Sequence, residues 1–268
     1  ALGDIPVHVE FFSSPEALRS EKANLLLPLT VKDKAVLNFD DETVLEMRSK
    51  TKGELITFGI GQGADVRGSG YKILLSAGTN KVPQGISFKM EYKGQAVQVK
   101  IKDTFGRQQM YACLAAAASA VGYGLNFQKI GDYLSNYSAP PGRLKLIKGI
   151  KNTYILDDTY NASPVAVHAA LDAMRDMPAA RKIVVLGDMM ELGKHTTSAH
   201  KEAGKIASEI CDLIFVVGLR SKFIKEGALE NGFNSENIFE FSDNVSAGAE
   251  LQNQIKKGDL ILIKGSQI

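Results

Sequence analysis

Tryptophan is absent from this chain, aromatic residues make up 7% of it, and cysteine occurs only twice, at Cys113 and Cys211. Two cysteines far apart, each in apolar sequence, exclude a disulfide scaffold and a thiolate metal site. They read as buried thiols of a reducing, cytoplasmic compartment. An excess of one charge is also lacking: a net charge of +2 over 268 residues gives no electrostatic ground for a nucleic-acid partner or an anionic membrane. No apolar run approaches a membrane span, so insertion is not expected. The opening "ALGDIPVHVEFF" has neither a basic start nor an initiator Met, which predicts no secretory leader here and a piece of a longer chain. No G-x-x-x-x-G-K-[ST] occurs. The loose glycine pattern "GIGQGA" at 59–64 leads into strand-like sequence where a dinucleotide motif needs a helix.

What is present suits a globular protein, with 44% hydrophobic and 23% charged residues. The second half is the more legible. "TYILDD" (153–158), "KIVVLGD" (182–188), "LIFVVG" (213–218), "NIFEFSD" (237–243) and "LILIKGS" (260–266) are short apolar runs bounded by Gly, Asp or Ser. Helical periodicity fills 164–177, 197–210, 221–231 and 245–257. Short buried strands alternating with helices predict a mainly parallel sheet, Rossmann-like, whose carboxyl edge faces ligands. That edge carries Asp157, Asp158, Gly187, Asp188, Gly218, Asp243, Lys264 and Ser266. Ser163 and Pro164 suit a helix N-cap and first position. Two readings of the double aspartate stand: one carboxylate caps that helix while the other faces solvent, or both serve the ligand edge.

The first half reads differently. Residues 15–27 have helical spacing, 34–42 make a strand ending in acids, and 54–103 alternate like antiparallel hairpins. "GRQQMYACLAAAASAVGYGL" (106–125) predicts a buried Ala-rich helix. "SAPPGR" (138–143) breaks the pattern, which predicts domains over 1–142 and 143–268. Asp40 and Asp41 suit helix caps. His168 reads as structural, and His195 and His200 as surface or capping residues rather than a metal pair.

"DDTYNASP", then "VLGDMMELG", then "ILIKGS", in this order, resemble the carboxy-terminal domain of the Mur ligases. "HVEFFSSPEALRSEKANLL", "VLNFDDE" and "PPGR" resemble earlier segments of the same family, so the resemblance runs over nearly the whole chain. It implies a UDP-sugar domain, a central ATPase and a Rossmann-like last domain. This chain would hold the later part of the ATPase, with a small antiparallel sheet, and most of the last domain. Gln108 stands where the family has a histidine, and Gln267 where it has an arginine after K-G-S.

The implied chemistry is ATP-dependent amide formation through an acyl phosphate. The motifs point to the branch that adds D-alanyl-D-alanine to a UDP-N-acetylmuramoyl-tripeptide. By resemblance, His8 is a metal ligand for Mg²⁺, and Lys22 is a lysine that carbamylation would make a second ligand. Asn38 reads adenine, Arg143 lies by the phosphates, and Asp158 holds the ATP ribose in a loop shaped by Tyr160 and Asn161. Asp188, Glu191, Lys264 and Ser266 lie nearer the dipeptide. Asp158→Ala is then expected to weaken ATP use with little loss of stability. A monomer is expected. A Mur-like ligase with another acceptor and a non-catalytic nucleotide-binding module are the competing readings.

Overall fold

The computed structural model describes residues 9–77 and 81–266. They sort into two compact units. The first runs up to Ser76 and takes in Gln84–Lys102 and Arg107–Ser138. The second takes in Asp103–Gly106 and everything from Ala139 onward, with the short stretch ahead of Gln84.

In the first unit, helix α1 (Pro15–Ala23) starts where the Ser14 hydroxyl accepts the Ala17 N–H at 3.2 Å. It stops short of the residue 27 expected from spacing: Asn24–Leu26 is a 3-10 turn and Pro28 blocks continuation. The sheet has the order β1-β2-β3-β4-β5, with β1 Lys34–Asn38, β2 Glu54–Gly59, β3 Val66–Leu75, β4 Pro83–Tyr92 and β5 Gln95–Lys102.

This sheet is mixed rather than antiparallel. β1 runs parallel to β2, and β2 to β3, while β4 and β5 pair antiparallel. Short helix α2 (Glu42–Glu46), capped by the Asp41 carboxylate on the Val44 N–H, supplies the crossover between β1 and β2. The β4–β5 hairpin turns at Lys93 and Gly94, both at positive φ (44° and 77°), the pairing a tight hairpin turn demands. Helix α3 (Arg107–Gly122) buries one face, Gln109, Met110, Cys113, Leu114, Ala117 and Ala118. Helix α4 (Phe127–Ser135) brings Gly131 so close to β5 that an added Cβ would meet Val97 at 2.1 Å.

The second unit carries β6 (Lys145–Lys148), β7 (Tyr154–Asp158), β8 (Arg181–Gly187), β9 (Leu213–Val217), β10 (Ile238–Phe241) and β11 (Asp259–Lys264). Their order is β10-β9-β8-β11-β7-β6, parallel except for β6. All five apolar runs of the second half are strands. Helices α5 (Pro164–Asp176), α6 (Thr196–Ser208) and α7 (Lys222–Glu230) pack in series. Helix α8 (Asn244–Gln254) returns the chain to the middle of the sheet, so right-handed crossover places it on the other face. There Leu251 and Ile255 close over Ile183, Leu213, Phe215 and Ile261.

The outer edge of β6 is covered. Leu146 donates its N–H to the Asp103 carbonyl at 3.2 Å, Phe105 donates to the Leu144 carbonyl at 3.3 Å, and Thr104 bridges Lys145 antiparallel. Phe105 is fully buried.

Candidate functional site

The carboxyl ends of β7, β11 and β8 bring together residues from three distant motifs. Asp158, the last residue of β7, is 7% exposed, and Lys264, the last of β11, is 3% exposed. Their strands pair in register at these two positions, and the Lys264 ammonium donates to Asp158 Oδ2 at 2.6 Å and to the Asn161 carbonyl at 2.8 Å. Asp158 Oδ1 accepts the Leu144 N–H at 3.1 Å. Burial pushes the Asp158 carboxyl up and the Lys264 ammonium down, each shift opposed by the charge of the partner.

Neighbouring Asp157 works on the same turn: its Oδ2 accepts the Gly142 N–H at 3.0 Å and its Oδ1 accepts the Thr159 hydroxyl at 2.7 Å. The two aspartates thus tie the "PPGRL" turn to the end of β7, and Tyr160 adds its N–H to the Gly142 carbonyl at 3.2 Å. Arg143 is exposed on that turn, its guanidinium 3.9 Å from the centre of the Tyr160 ring. The Asn161 side chain turns inward on its own loop and accepts the Ala162 N–H at 2.8 Å. Ser163 caps α5, taking the Ala166 N–H, so neither aspartate is the cap. A side chain placed like that of Asp158 carries stability, which replaces the small cost expected for Asp158→Ala.

The loop after β8 forms the adjoining part of this edge. Asp188 Oδ1 accepts the backbone N–H groups of Arg220 and Ser221, at 3.0 and 2.8 Å, ahead of α7. Gly218 makes this approach possible: at φ 111°, a Cβ there would meet Asp188 Oδ1 at 2.7 Å. Ser266 N–H donates to the Asp188 carbonyl at 3.2 Å. The Ser266 hydroxyl accepts the Met190 N–H and donates to the Ala162 carbonyl, both at 3.4 Å, so the tail of β11 spans the loops after β7 and β8. Glu191 has φ 62°, an uncommon backbone state for a residue with a Cβ. Arg220 Nη1 lies 3.6 Å from Asp188 Oδ2 and 3.3 Å from Met190 Sδ.

His200 is a correction. It is not a surface residue but fully buried on α6, hydrogen-bonded to the Asp188–Glu191 loop. His195 ends a 3-10 turn and uses no side-chain cap.

In the first unit, Asn38 ends β1 and its Oδ1 accepts the Asp40 N–H at 3.0 Å. Asp40 is no helix cap either. Its carboxylate accepts the N–H groups of Ile60 and Gly61, at 2.6 and 2.9 Å, and the Tyr111 hydroxyl at 2.8 Å. The first two "GIGQGA" glycines thus wrap a carboxylate: Cβ atoms at Gly59 and Gly61 would meet Asp40 at 2.4 and 2.7 Å. The segment leads into β3, not into a helix. Lys22 is exposed on α1 and His8 lies outside the described residues. Among the described residues no three His, Cys, Asp or Glu side chains gather as a metal site, and an exposed ammonium is no ligand for a cation. Cys113 and Cys211 are free and buried, their thiols pushed up to about 12 by burial.

Two family models match in tandem, the Mur ligase middle domain over residues 5–120 and the Mur ligase, glutamate ligase domain over 142–267. The chain belongs to the Mur ligase family. Within that family it is similar to UDP-N-acetylmuramoyl-tripeptide–D-alanyl-D-alanine ligases. With that of Bacillus subtilis (strain 168) it shares 32% identity over 174 residues, 62% of this chain and 38% of that protein. With that of Synechocystis it shares 28% over 261 residues, 97% of this chain and 52% of that protein. Among solved structures, MurF from Acinetobacter baumannii superposes with a TM-score of 0.78 at 25% identity, covering 95% of this chain and 54% of that one. The fold is also that of MurF ligase from Thermotoga maritima in complex with ADP, with a TM-score of 0.79 at 24% identity over 97% of this chain and 56% of that one. The chain spans about half the length of the relatives that it matches along its whole length.

Proposed function

We propose that this chain is the later part of an ATP-dependent ligase that adds D-alanyl-D-alanine to a UDP-N-acetylmuramoyl-tripeptide in peptidoglycan synthesis. The observation that carries this is the meeting of three motifs on one sheet edge: Asp158 with Lys264, and Ser266 with both Met190 and Ala162. In the reaction, the terminal carboxylate of the tripeptide takes the γ-phosphoryl group of ATP and ADP leaves. The dipeptide amine then attacks the acyl carbon and expels phosphate.

Asn38 reads the adenine through its amide, and Arg143 places a fixed positive charge beside the phosphates. Tyr160 and Asn161 shape the ribose side. Asp188, Glu191 and Ser266 face the incoming dipeptide, and Lys264, buried between Asp158 and the Asn161 carbonyl, steadies the edge they stand on. His8 and, once carbamylated, Lys22 are the residues this reading gives to Mg²⁺, which supplies charge neutralisation at the phosphates. The protein is a cytoplasmic monomer in this reading. The buried free thiols suit a reducing compartment.

A second reading is favoured for Asp158. Both of its oxygens have protein partners, so it serves the nucleotide by fixing the turn that carries Arg143 rather than by touching the ribose.

The test is phosphate release by the full-length protein supplied with ATP and the UDP-tripeptide. Release that depends on D-alanyl-D-alanine is expected. Release that depends instead on another amino-acid acceptor returns the alternative ligase, and no release with any acceptor returns the non-catalytic module.

A further inference from the structure

His200 holds two backbone groups at once. Its Nε2 accepts the Met189 N–H at 3.0 Å, and its Nδ1 lies 2.7 Å from the Thr196 carbonyl. A ring nitrogen that accepts an N–H carries no proton, and one that faces a carbonyl donates one. The neutral imidazole with its proton on Nδ1 is the single form that satisfies both contacts. The ring is 0% exposed, so water does not substitute for either partner.

Met189 follows Asp188 directly and precedes Met190, whose own N–H is bound by Ser266. The backbone donors of this loop are therefore held by side chains from α6 and from the tail of β11, just before the chain takes the unfavourable φ of Glu191. We infer that His200 is a positioning residue that locks the Asp188–Glu191 loop in the shape that receives the incoming dipeptide, an inference that rests on the assignment of that loop above.

Protonation would place an N–H against the Met189 N–H and drive the loop away. The charged groups acting on the ring are Asp188, after β8, which favours the imidazolium, and Arg220, ahead of α7, which opposes it. Burial is the largest influence and Arg220 adds to it; together they outweigh the Thr196 carbonyl and Asp188 and hold the ring's pKa below its ordinary value.

The experiment compares the full-length protein with its His200→Ala and His200→Gln variants. It measures KM for D-alanyl-D-alanine and for ATP between about pH 5 and 8, and amide hydrogen exchange at Met189, Met190 and Glu191. His200→Ala is expected to raise the dipeptide KM on the order of tenfold, as loss of an orienting partner does elsewhere. The ATP KM should stay within about twofold, and the loop amides should lose protection. Glutamine offers an acceptor that does not titrate, so His200→Gln should recover most of the affinity. It should also abolish a rise in dipeptide KM at the acid end that the unsubstituted protein shows. Unchanged loop protection in His200→Ala overturns the inference. So does a loosened loop with an unchanged dipeptide KM, or an equal rise in both KM values with a lowered Tm. A full-length protein that makes no amide with the dipeptide, yet loosens this loop in His200→Ala, supports the positioning role and removes the acceptor assignment.

Discussion

Asp158 and Lys264 show how much of a residue's role depends on partners that sequence cannot place. The end of a strand at the ligand edge was legible from "TYILDD". What was not legible is that Leu144, 14 residues earlier, and Lys264, 106 residues later, would take up both carboxylate oxygens. Removing one member of a buried pair leaves the other charge unpaired, which costs about 3–5 kcal/mol, whereas replacing both by apolar groups is far milder. Asp158→Ala should therefore lower the unfolding free energy by about 3–5 kcal/mol in urea titrations. Asp158→Leu with Lys264→Met should recover most of that loss. Equal losses in the single and double variants would show that the pair is not the source.

His200 gives a second residue-scale prediction, with a definite sign. Its native pKa lies below the ordinary 6.5 because burial disfavours the charged ring. The unfolded chain then binds the proton first as pH falls, so the contribution of His200 to stability is whole above pH 6.5 and shrinks below it until the native ring also protonates. Unfolding measured from neutral to mildly acidic pH should show this slope, and His200→Gln should flatten it. No property of "HTTSAH" marked this histidine as buried; that its face of α6 turns toward the loop after β8 is a tertiary fact.

Strands and helices of the second unit were legible because continuous apolar runs and helical periodicity agree there. The hairpin expected over 54–103 holds for β4 and β5, but the parallel pairing of β2 with β1 and β3 was not legible, because a helix as short as Glu42–Glu46 gives little periodic signal for a crossover. Helix packing leaves a sharper mark on two glycines. A Cβ at Gly204 of α6 would lie 1.9 Å from the Ile224 carbonyl oxygen, and one at Gly227 of α7 would lie 2.0 Å from that of Lys201. Backbone cannot yield as a side chain tip does, so Gly204→Ala or Gly227→Ala must push α6 and α7 apart, at about 1–3 kcal/mol or more. Gly248 of α8 is the control: nothing lies within 4 Å of its added Cβ. There alanine should stabilise by about 0.5–1 kcal/mol through helix propensity. A loss of stability in Gly248→Ala as large as in Gly204→Ala would rule out the packing explanation.

For the molecule as a whole, the missing G-x-x-x-x-G-K-[ST] decides the expected behaviour. Backbone N–H groups of such a loop cradle the β- and γ-phosphates, and no segment of this sequence offers that pattern. Assayed by itself, this chain should release no phosphate in response to D-alanyl-D-alanine, and weak adenine-nucleotide binding would not count against the proposed function. A measurable dipeptide-dependent rate from these 268 residues alone would overturn that function as stated.

The strip Asp103–Gly106, laid along β6, has a consequence for inheritance. It reaches the second unit from ahead of α3, so that unit is not a continuous cassette in the gene. A piece excised at the "PPGR" turn would leave this strip behind and open the backbone N–H and C=O groups of β6 to any passing strand. It would also strip away the fully buried ring of Phe105. Shuffling of this domain between genes is thereby restricted to exchanges that carry the strip along, or that bring a new segment to cover the same edge.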